Sequence, residues 1–157
     1  MIGDALHDVM GTIPNGACPV DGVGTAGQPA ESAWRELARA GYRTVVDLRA
    51  ADEPRGHDEP AAVGAAGLSY VPLPVTQATL DDATFDRFRE IVRDPARRPI
   101  LVHCASSNRV GALLLPYFAL DEHRPLAEAV PLAQRSGLRS PELGAMAVAY
   151  ARRHGAR

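Results

Sequence analysis

The sequence has few cysteines, little net charge and no long hydrophobic run. Two cysteines among 157 residues are too few for a disulfide scaffold. Because there is also no apolar leader and no membrane-length segment, we expect a cytoplasmic protein. The formal net charge of −2 gives no general attraction to nucleic acid or to an anionic membrane, so we expect neither as a partner. Any recognition of an anion must then be local.

Spacings typical of metal ligands are absent as well. The sequence contains neither His-x-x-x-His nor paired Cys-x-x-Cys, and such spacings hold zinc in many small proteins. We therefore expect no metal and no other cofactor.

Length and composition fit one globular domain. With 46% hydrophobic and 23% charged residues, the 157-residue chain can bury a single core, and we assign residues 1–157 to one domain. Strand-like and helical patterns alternate along the middle of the chain. Predicted strands cover 44–48 and 69–75, and predicted helices cover 59–66 and 81–93. This order predicts an α/β fold with a central, mostly parallel sheet of four or five strands and helices on both faces.

The two ends of the chain have weaker patterns. Residues 1–29 are rich in Gly, Pro and Asp and lack sustained periodicity, so we predict one or two short edge strands there. A helix is predicted over 30–40 and should end at Gly41, a residue type suited to the left-handed position after a helix. Near the C-terminus, Ser140 is a natural N-cap for a last helix.

One short segment contains the candidate reactive residues. Residues 100–102 are apolar and predict a buried strand, a small polar loop follows, and a helical pattern starts at Val110. Cys104 is therefore expected at a strand end, and Arg109 where the next helix begins. The backbone N–H groups of such a loop and of a helix N-terminus form a concave anion site. This site favours a thiolate, and it also holds a phosphate or a sulfur oxyanion.

These positions define the candidate site. Cys104 is the candidate nucleophile, because an inert core cysteine would explain neither the polar loop nor the arginine five residues on. Arg109 is the second catalytic candidate, since its planar guanidinium can hold two oxygens of an anion. His103 should face away from the loop and steady it from behind, because adjacent strand residues point to opposite sides. The candidate substrate-binding residues are Ala105, Ser106, Ser107, Asn108 and Val110.

The loop resembles the phosphate loop of bacterial dual-specificity-like, cysteine-dependent protein tyrosine phosphatases. Loops of the form His-Cys-Ala-Ser-Gly-Asn-Arg are typical of that group, which includes beta-lactamase hydrolase-like proteins, and Ser107 stands where the group has glycine. Three upstream segments are also similar in order and spacing, namely 25–29, 44–49 followed by Glu53, and 70–75. The resemblance implies a phosphatase-like fold and hydrolysis of phosphomonoesters through a phospho-cysteine intermediate, with a phosphorylated protein or small molecule as partner and phosphotyrosine among the candidate substrates.

Two departures from the usual phosphatase loop keep other functions open. That loop has five residues between cysteine and arginine and then a Ser or Thr, whereas this chain has four and then Val110. Without that hydroxyl a departing thiolate is less stabilised, so slow turnover is expected. Four intervening residues are also typical of rhodanese-like sulfurtransferases, in which Cys104 would carry a persulfide. A third alternative is a weakly active module that recognises phosphate groups.

A proton donor for the leaving group is harder to place. Phosphatases of this kind carry an aspartate on a loop after an upstream strand. The corresponding loop here spans 76–82 and ends in Asp81 and Asp82. Both are catalytic candidates, although capping of the helix that follows would explain them equally well. Asp47 and Asp52 are more distant alternatives.

Overall fold

A five-stranded sheet forms the centre of the molecule. The structure is a computed structural model and describes residues 2–157. The strands are β1 (Ala17–Val20), β2 (Val23–Ala26), β3 (Thr44–Asp47), β4 (Ser69–Pro72) and β5 (Ile100–His103). Their order is β1-β2-β5-β3-β4, and only the β1–β2 pair is antiparallel. The predicted α/β fold with a mostly parallel sheet is therefore confirmed.

Helices cover both faces of this sheet. They are α1 (Ile2–Met10), α2 (Ala33–Ala40), α3 (Glu59–Ala65), α4 (Asp82–Arg93), α5 (Asn108–Pro116), α6 (Leu126–Arg135) and α7 (Pro141–Arg153), with a π-helical turn at Tyr117–Asp121. Trp34 of α2 packs with Leu101 in one core, and Phe88 of α4 packs with Val102 in the other. Leu101 and Val102 are neighbours in β5 and point to opposite faces, as the pleat of a strand requires. None of the helices that the structure describes is long and apolar enough to span a bilayer.

The N-terminal segment differs from its prediction. Residues 2–10 form a helix where only edge strands were expected. Leu6, Met10 and Ile13 are buried at spacings of four and three, but an apolar stripe of three residues in a Gly-rich stretch is too short for a clear helical pattern. β2 is also not an edge strand, because it pairs with β1 on one side and β5 on the other.

The helix after the cysteine loop is buried on all sides. Residues 110–116 of α5 are all buried, as expected for a helix that packs between a sheet and other helices. Gly111 allows close contact, because a Cβ there would lie 2.5 Å from Leu138 N and 2.6 Å from Ala133 O. The loop between β5 and α5 is therefore held between the sheet and the segment that follows α6.

Candidate active site

Cys104 lies directly after β5, the central strand of the sheet. β5 pairs with β2 and β3, and the N–H of Cys104 donates to the carbonyl of Ala26 at 3.3 Å. The cysteine is 1% exposed. It therefore occupies the carboxyl edge of parallel strands, the place where open α/β sheets bind their ligands.

Gly27 allows the chain that follows β2 to approach the cysteine loop closely. The N–H of Gln28 donates to Ala105 O at 3.2 Å, and Gly27 pairs with Ser106 in an isolated antiparallel bridge. A Cβ on Gly27 would lie 2.8 Å from Ala105 O, too close for any other residue type without a shift of the backbone. This close approach fixes one wall of the loop.

Ser107 has a backbone conformation that usually calls for glycine. Its φ is 69° and its ψ is 1°, in the left-handed region. The cost of this conformation is about 1 kcal/mol, and a buried hydrogen bond from the Ser107 hydroxyl to Ser136 O at 2.8 Å offsets it. The turn allows α5 to begin at Asn108, so the N–H groups of its first turn have no acceptor within the helix. Those groups are available to an anion.

Arg109 is anchored by the carboxylate of Glu53. Its Nη1 donates to Oε2 at 2.7 Å and its Nη2 to Oε1 at 2.9 Å, and Nη1 also donates to Val75 O at 3.1 Å. The same carboxylate accepts from the N–H of Ala50 at 2.6 Å and from Arg49 Nε at 3.2 Å. These donors, Arg109 above all, lower the pKa of Glu53 to about 2.

One edge of the Arg109 guanidinium is left for an anion. A guanidinium has five N–H donors, and Glu53 and Val75 take three of them. Within the part of the chain that the structure describes, the Nε–H and one Nη2–H are left, and these two share an edge. The hydrogen bond to Glu53 is the main reason that the pKa of Arg109 is raised, and the charge of Cys104 raises it further. The guanidinium and the thiol are therefore close enough to interact.

A buried histidine supports the loop from behind. Nδ1 of His103 lies 3.3 Å from Cys104 O, and Nε2 lies 2.6 Å from Oε2 of Glu59, with both side chains fully buried. Because a carbonyl oxygen only accepts, Nδ1 is the donor in the contact with Cys104 O, and Nε2 and Glu59 share the second hydrogen bond. His103 thus occupies the position predicted for a residue that steadies the loop.

Asp47 and Arg55 complete this buried network. Asp47 lies 3.7 Å from His103 Nε2 and accepts from Arg55 Nε at 2.7 Å and from the Tyr70 hydroxyl at 2.5 Å. Burial alone would raise the pKa of Asp47, but the hydrogen bond from Arg55 and the other donors lower it. Asp47, Glu59 and His103 are close enough to share a metal ion, yet their atoms already bond to one another, to Arg55 and to Tyr70. The cluster is therefore an internal support for the site.

The two predicted proton donors are engaged at the start of α4. Asp81 is the N-cap, and its Oδ1 accepts from Thr84 N at 2.9 Å and from Thr84 Oγ1 at 2.8 Å. The hydrogen bond from the Thr84 hydroxyl is the main reason that the pKa of Asp81 is lowered. Asp82 is exposed and pairs with Arg153 at 2.5 Å. Neither carboxylate has a hydrogen bond or ion pair with residues 104–109 as the structure describes them.

The other predicted substrate-binding residues differ in their surroundings. Ala105 is exposed, and Ser106 and Asn108 are half-buried. Val110 is fully buried in the hydrophobic core. Its side chain does not line the loop, so only its backbone can contribute to binding.

Several contacts of the site were not predicted from the sequence, which suggested for Asp47 only a remote role as proton donor. Gln28, whose Nε2 donates to Glu59 at 2.8 Å, Asp47 and Glu53 lie in the upstream segments that resemble the phosphatase group. Their positions could therefore be recognised but not their contacts. Nothing in the sequence marked Glu59 as a residue of the site, because an acidic residue in the first turn of a helix is common.

The fold is that of protein tyrosine phosphatase-like phosphatases. A DUF442 protein from Shewanella putrefaciens CN-32 is 21% identical and has a TM-score of 0.80, over 94% of this chain and 98% of that one. A variant of P. aeruginosa TpbA, solved in complex with pTyr, is 24% identical and has a TM-score of 0.64, over 88% of this chain and 80% of that one.

Residues 23–135 match the model of the family described as PTP-NADK, a DSP-PTPase phosphatase fused to NAD+ kinase. The chain belongs to this family. A beta-lactamase hydrolase-like protein from Xylella fastidiosa (strain Temecula1) is 37% identical over 101 residues, which are 62% of this chain. The match spans only 22% of that curated relative. The predicted resemblance to bacterial dual-specificity-like phosphatases is confirmed.

Proposed function

We propose that this chain is a cysteine-dependent phosphatase that hydrolyses phosphomonoesters through a phospho-cysteine intermediate. The observation that carries the proposal is the Arg109 guanidinium, which Glu53 holds near Cys104 and whose Nε–H and one Nη2–H have no acceptor among the described residues. A thiolate next to a two-pronged cation is the arrangement that phosphoryl transfer to sulfur needs. Phosphotyrosine is a candidate substrate, and the crystal structure of TpbA with pTyr supports it.

In the proposed first step, the sulfur of Cys104 attacks phosphorus in line with the leaving oxygen. Nε and Nη2 of Arg109 donate hydrogen bonds to two equatorial oxygens of the phosphoryl group. The first-turn N–H groups of α5 stabilise the negative charge on these oxygens in the transition state. In the second step, water cleaves the sulfur–phosphorus bond and releases phosphate, and Cys104 leaves as the thiolate. His103 acts on both steps through the Cys104 carbonyl, 3.3 Å from its Nδ1.

We retain Asp81 and Asp82 as proposed donors of the proton to the leaving oxygen. Their position after the loop that follows β4 supports this role. The lowered pKa of Asp81 favours the ionised carboxylate, which cannot donate. Substrates with acidic leaving groups, such as aryl phosphates, should therefore be hydrolysed fastest. Asp81→Asn and Asp82→Asn should lower kcat more for an alkyl than for an aryl phosphate if either residue is the donor.

Sulfur transfer is the second candidate, because four residues separate Cys104 from Arg109, the spacing typical of rhodanese-like enzymes. One experiment separates the two activities. We expect release of nitrophenol from p-nitrophenyl phosphate that vanadate inhibits and Cys104→Ser abolishes, with no thiocyanate formed from thiosulfate and cyanide. Cys18→Ser, which removes the other cysteine, is the control and should retain activity.

The reverse pattern would assign the chain to sulfur transfer. Vanadate binding without either activity would favour a module that only recognises phosphate.

A further inference from the structure

One arginine beside the cysteine loop has no carboxylate partner. Arg49 and Arg109 share the carboxylate of Glu53, and Arg55 pairs with Asp47. Arg139 lies between α6 and α7, and its Nη2 donates to Ser106 Oγ at 2.7 Å and to Ser106 O at 3.2 Å. Among the described residues it forms no ion pair. It therefore adds an uncompensated positive charge at the loop.

The segment that carries Arg139 is docked on the loop. The N–H groups of Arg139 and Ser140 donate to Oδ1 of Asn108 at 2.7 and 3.0 Å. The Ser107 hydroxyl donates to Ser136 O at 2.8 Å. The backbone at Arg139 is therefore fixed relative to Cys104, unlike that of an arginine on an independent surface loop.

Arg139 retains donors that a ligand can use. Its side chain is exposed, and only Nη2 is bonded within the described chain. Nε and Nη1 have no acceptor there. Because both paired edges of a guanidinium include Nη2, which is already bonded to Ser106, Nε and Nη1 are left to donate single charge-assisted hydrogen bonds to a phosphate or carboxylate.

We propose that Arg139 forms a second anion subsite, so that the preferred substrates are phosphomonoesters with a second anionic group next to the scissile phosphate. This inference rests on the proposed function, since the loop and Arg109 must hold the scissile group. Arg139 contacts Ser106, two residues after Cys104, whereas Arg109 lies five residues after it. The two guanidinium groups also have separate anchors, Ser106 for Arg139 and Glu53 for Arg109, so each can bind its own anionic group of one ligand.

Binding tests the subsite without turnover. In Cys104→Ser, calorimetry should show pyrophosphate bound about tenfold more tightly than orthophosphate, the gain expected for one charge-assisted contact. Arg139→Gln should bring the ratio of the two affinities close to one and leave orthophosphate binding nearly unchanged. Arg139→Lys should retain part of the preference for pyrophosphate. Arg135→Gln is the matched control, because Arg135 is an exposed arginine at the end of α6 whose one side-chain hydrogen bond within the described residues is to Pro131 O.

A matched substrate pair provides the second measurement. Wild-type protein should prefer 3-carboxyphenyl phosphate to the neutral 3-carbamoylphenyl phosphate by about tenfold in kcat/KM, mainly through KM. Arg139→Gln should abolish this preference. A pyrophosphate-to-orthophosphate ratio that Arg139→Gln leaves unchanged would overturn the subsite, while Cys104-dependent hydrolysis would still support the proposed function. If neither phosphate ester is hydrolysed, the proposed function fails, and the binding ratios alone decide for or against the subsite.

Discussion

Arg109 and Glu53 face each other through two parallel hydrogen bonds, at 2.7 and 2.9 Å. The bonds use the two terminal nitrogens of the guanidinium and leave its Nε–H without an acceptor among the described residues. Glu53 thus orients the cation and keeps it from turning into solvent. The exposed fractions of the two side chains, 17% and 25%, place this pair at the border between protein and water.

We predict that Glu53→Gln lowers kcat/KM for an aryl phosphate by about 10- to 100-fold, because a cation displaced by a fraction of an ångström binds the transferring group poorly. The free energy of unfolding should fall by only about 1 kcal/mol, as expected for a partly exposed pair. Glu36→Gln, which breaks the exposed Glu36–Arg39 pair at 3.1 Å, is the control and should change neither quantity. Equal kcat/KM values in the two variants would contradict the orienting role.

The same pair predicts a dependence of stability on pH. The pKa of Glu53 is about 2 in the folded chain and about 4.3 in an unfolded one. Because the folded value is lower, the stabilisation is fully present above about pH 4.3 and is lost as the pH falls towards 2. Denaturant melts between pH 5 and pH 2 should show a smaller loss of stability for Glu53→Gln than for wild type. Parallel curves for the two proteins would exclude this contribution.

Local signals predicted much of the fold. Gly41, with φ of 112°, ends α2 as predicted, and the Ser140 hydroxyl accepts from Leu143 N at 3.2 Å to cap α7. These features depend on residues a few positions apart, whose preferences are visible in the sequence. α1 was missed because its apolar stripe has too few residues to be distinguished from chance.

The contacts of the candidate site could not be predicted in the same way. Cys104 and Arg109 are five positions apart, and this spacing identified them as candidate catalytic residues. Glu59 and His103 are separated by 44 positions, and Arg109 and Glu53 by 56. Their contacts arise only when α3 and the loop after β3 pack at the carboxyl end of the sheet, so no local pattern reveals them.

The two cysteines should differ in reactivity. Cys18 is half-buried, and burial raises its pKa, which disfavours the nucleophilic thiolate. Cys104 lies beside Arg109 and the N-terminus of α5, and both favour a thiolate. We predict that iodoacetamide at neutral pH modifies Cys104 first and that vanadate protects it, as peptide mass mapping would measure. Faster modification of Cys18 would refute the activated nucleophile.

Ser107 offers a test that separates backbone strain from a hydrogen bond. Ser107→Ala keeps φ at 69° but loses the hydrogen bond to Ser136 O, so the free energy of unfolding should fall by about 1–2 kcal/mol. Ser107→Gly loses the same hydrogen bond but relieves the backbone strain, so its free energy of unfolding should be about 1 kcal/mol higher than that of Ser107→Ala. Thermal or urea melts of the two variants measure the difference. A glycine variant less stable than the alanine variant would show that the left-handed conformation costs little here.

The buried pair of Glu59 and His103 should be important for both stability and the shape of the loop. Glu59→Gln keeps the size of the side chain but replaces with an NH2 donor one of the two oxygens that bond to Gln28 Nε2 and His103 Nε2, at 2.8 and 2.6 Å. Because a buried hydrogen bond then loses its acceptor, we predict that the free energy of unfolding falls by about 1–3 kcal/mol. Glu90→Gln, in an exposed pair with Arg87 at 3.5 Å, is the control and should stay within about 0.5 kcal/mol of wild type.

A second readout of Glu59→Gln reports on the site itself rather than on global stability. Trp34 is the chain's single tryptophan, and its ring centroid lies 5.8 Å from that of His103. Its emission should therefore change in the folded Glu59→Gln variant and not in Glu90→Gln, because only the first change alters the charge beside the ring. Since His103 also contacts the Cys104 carbonyl at 3.3 Å, the rate of Cys104 alkylation should fall in the same variant. An unchanged unfolding midpoint, unchanged emission and an unchanged alkylation rate would mean that the pair fills space behind the loop without holding it.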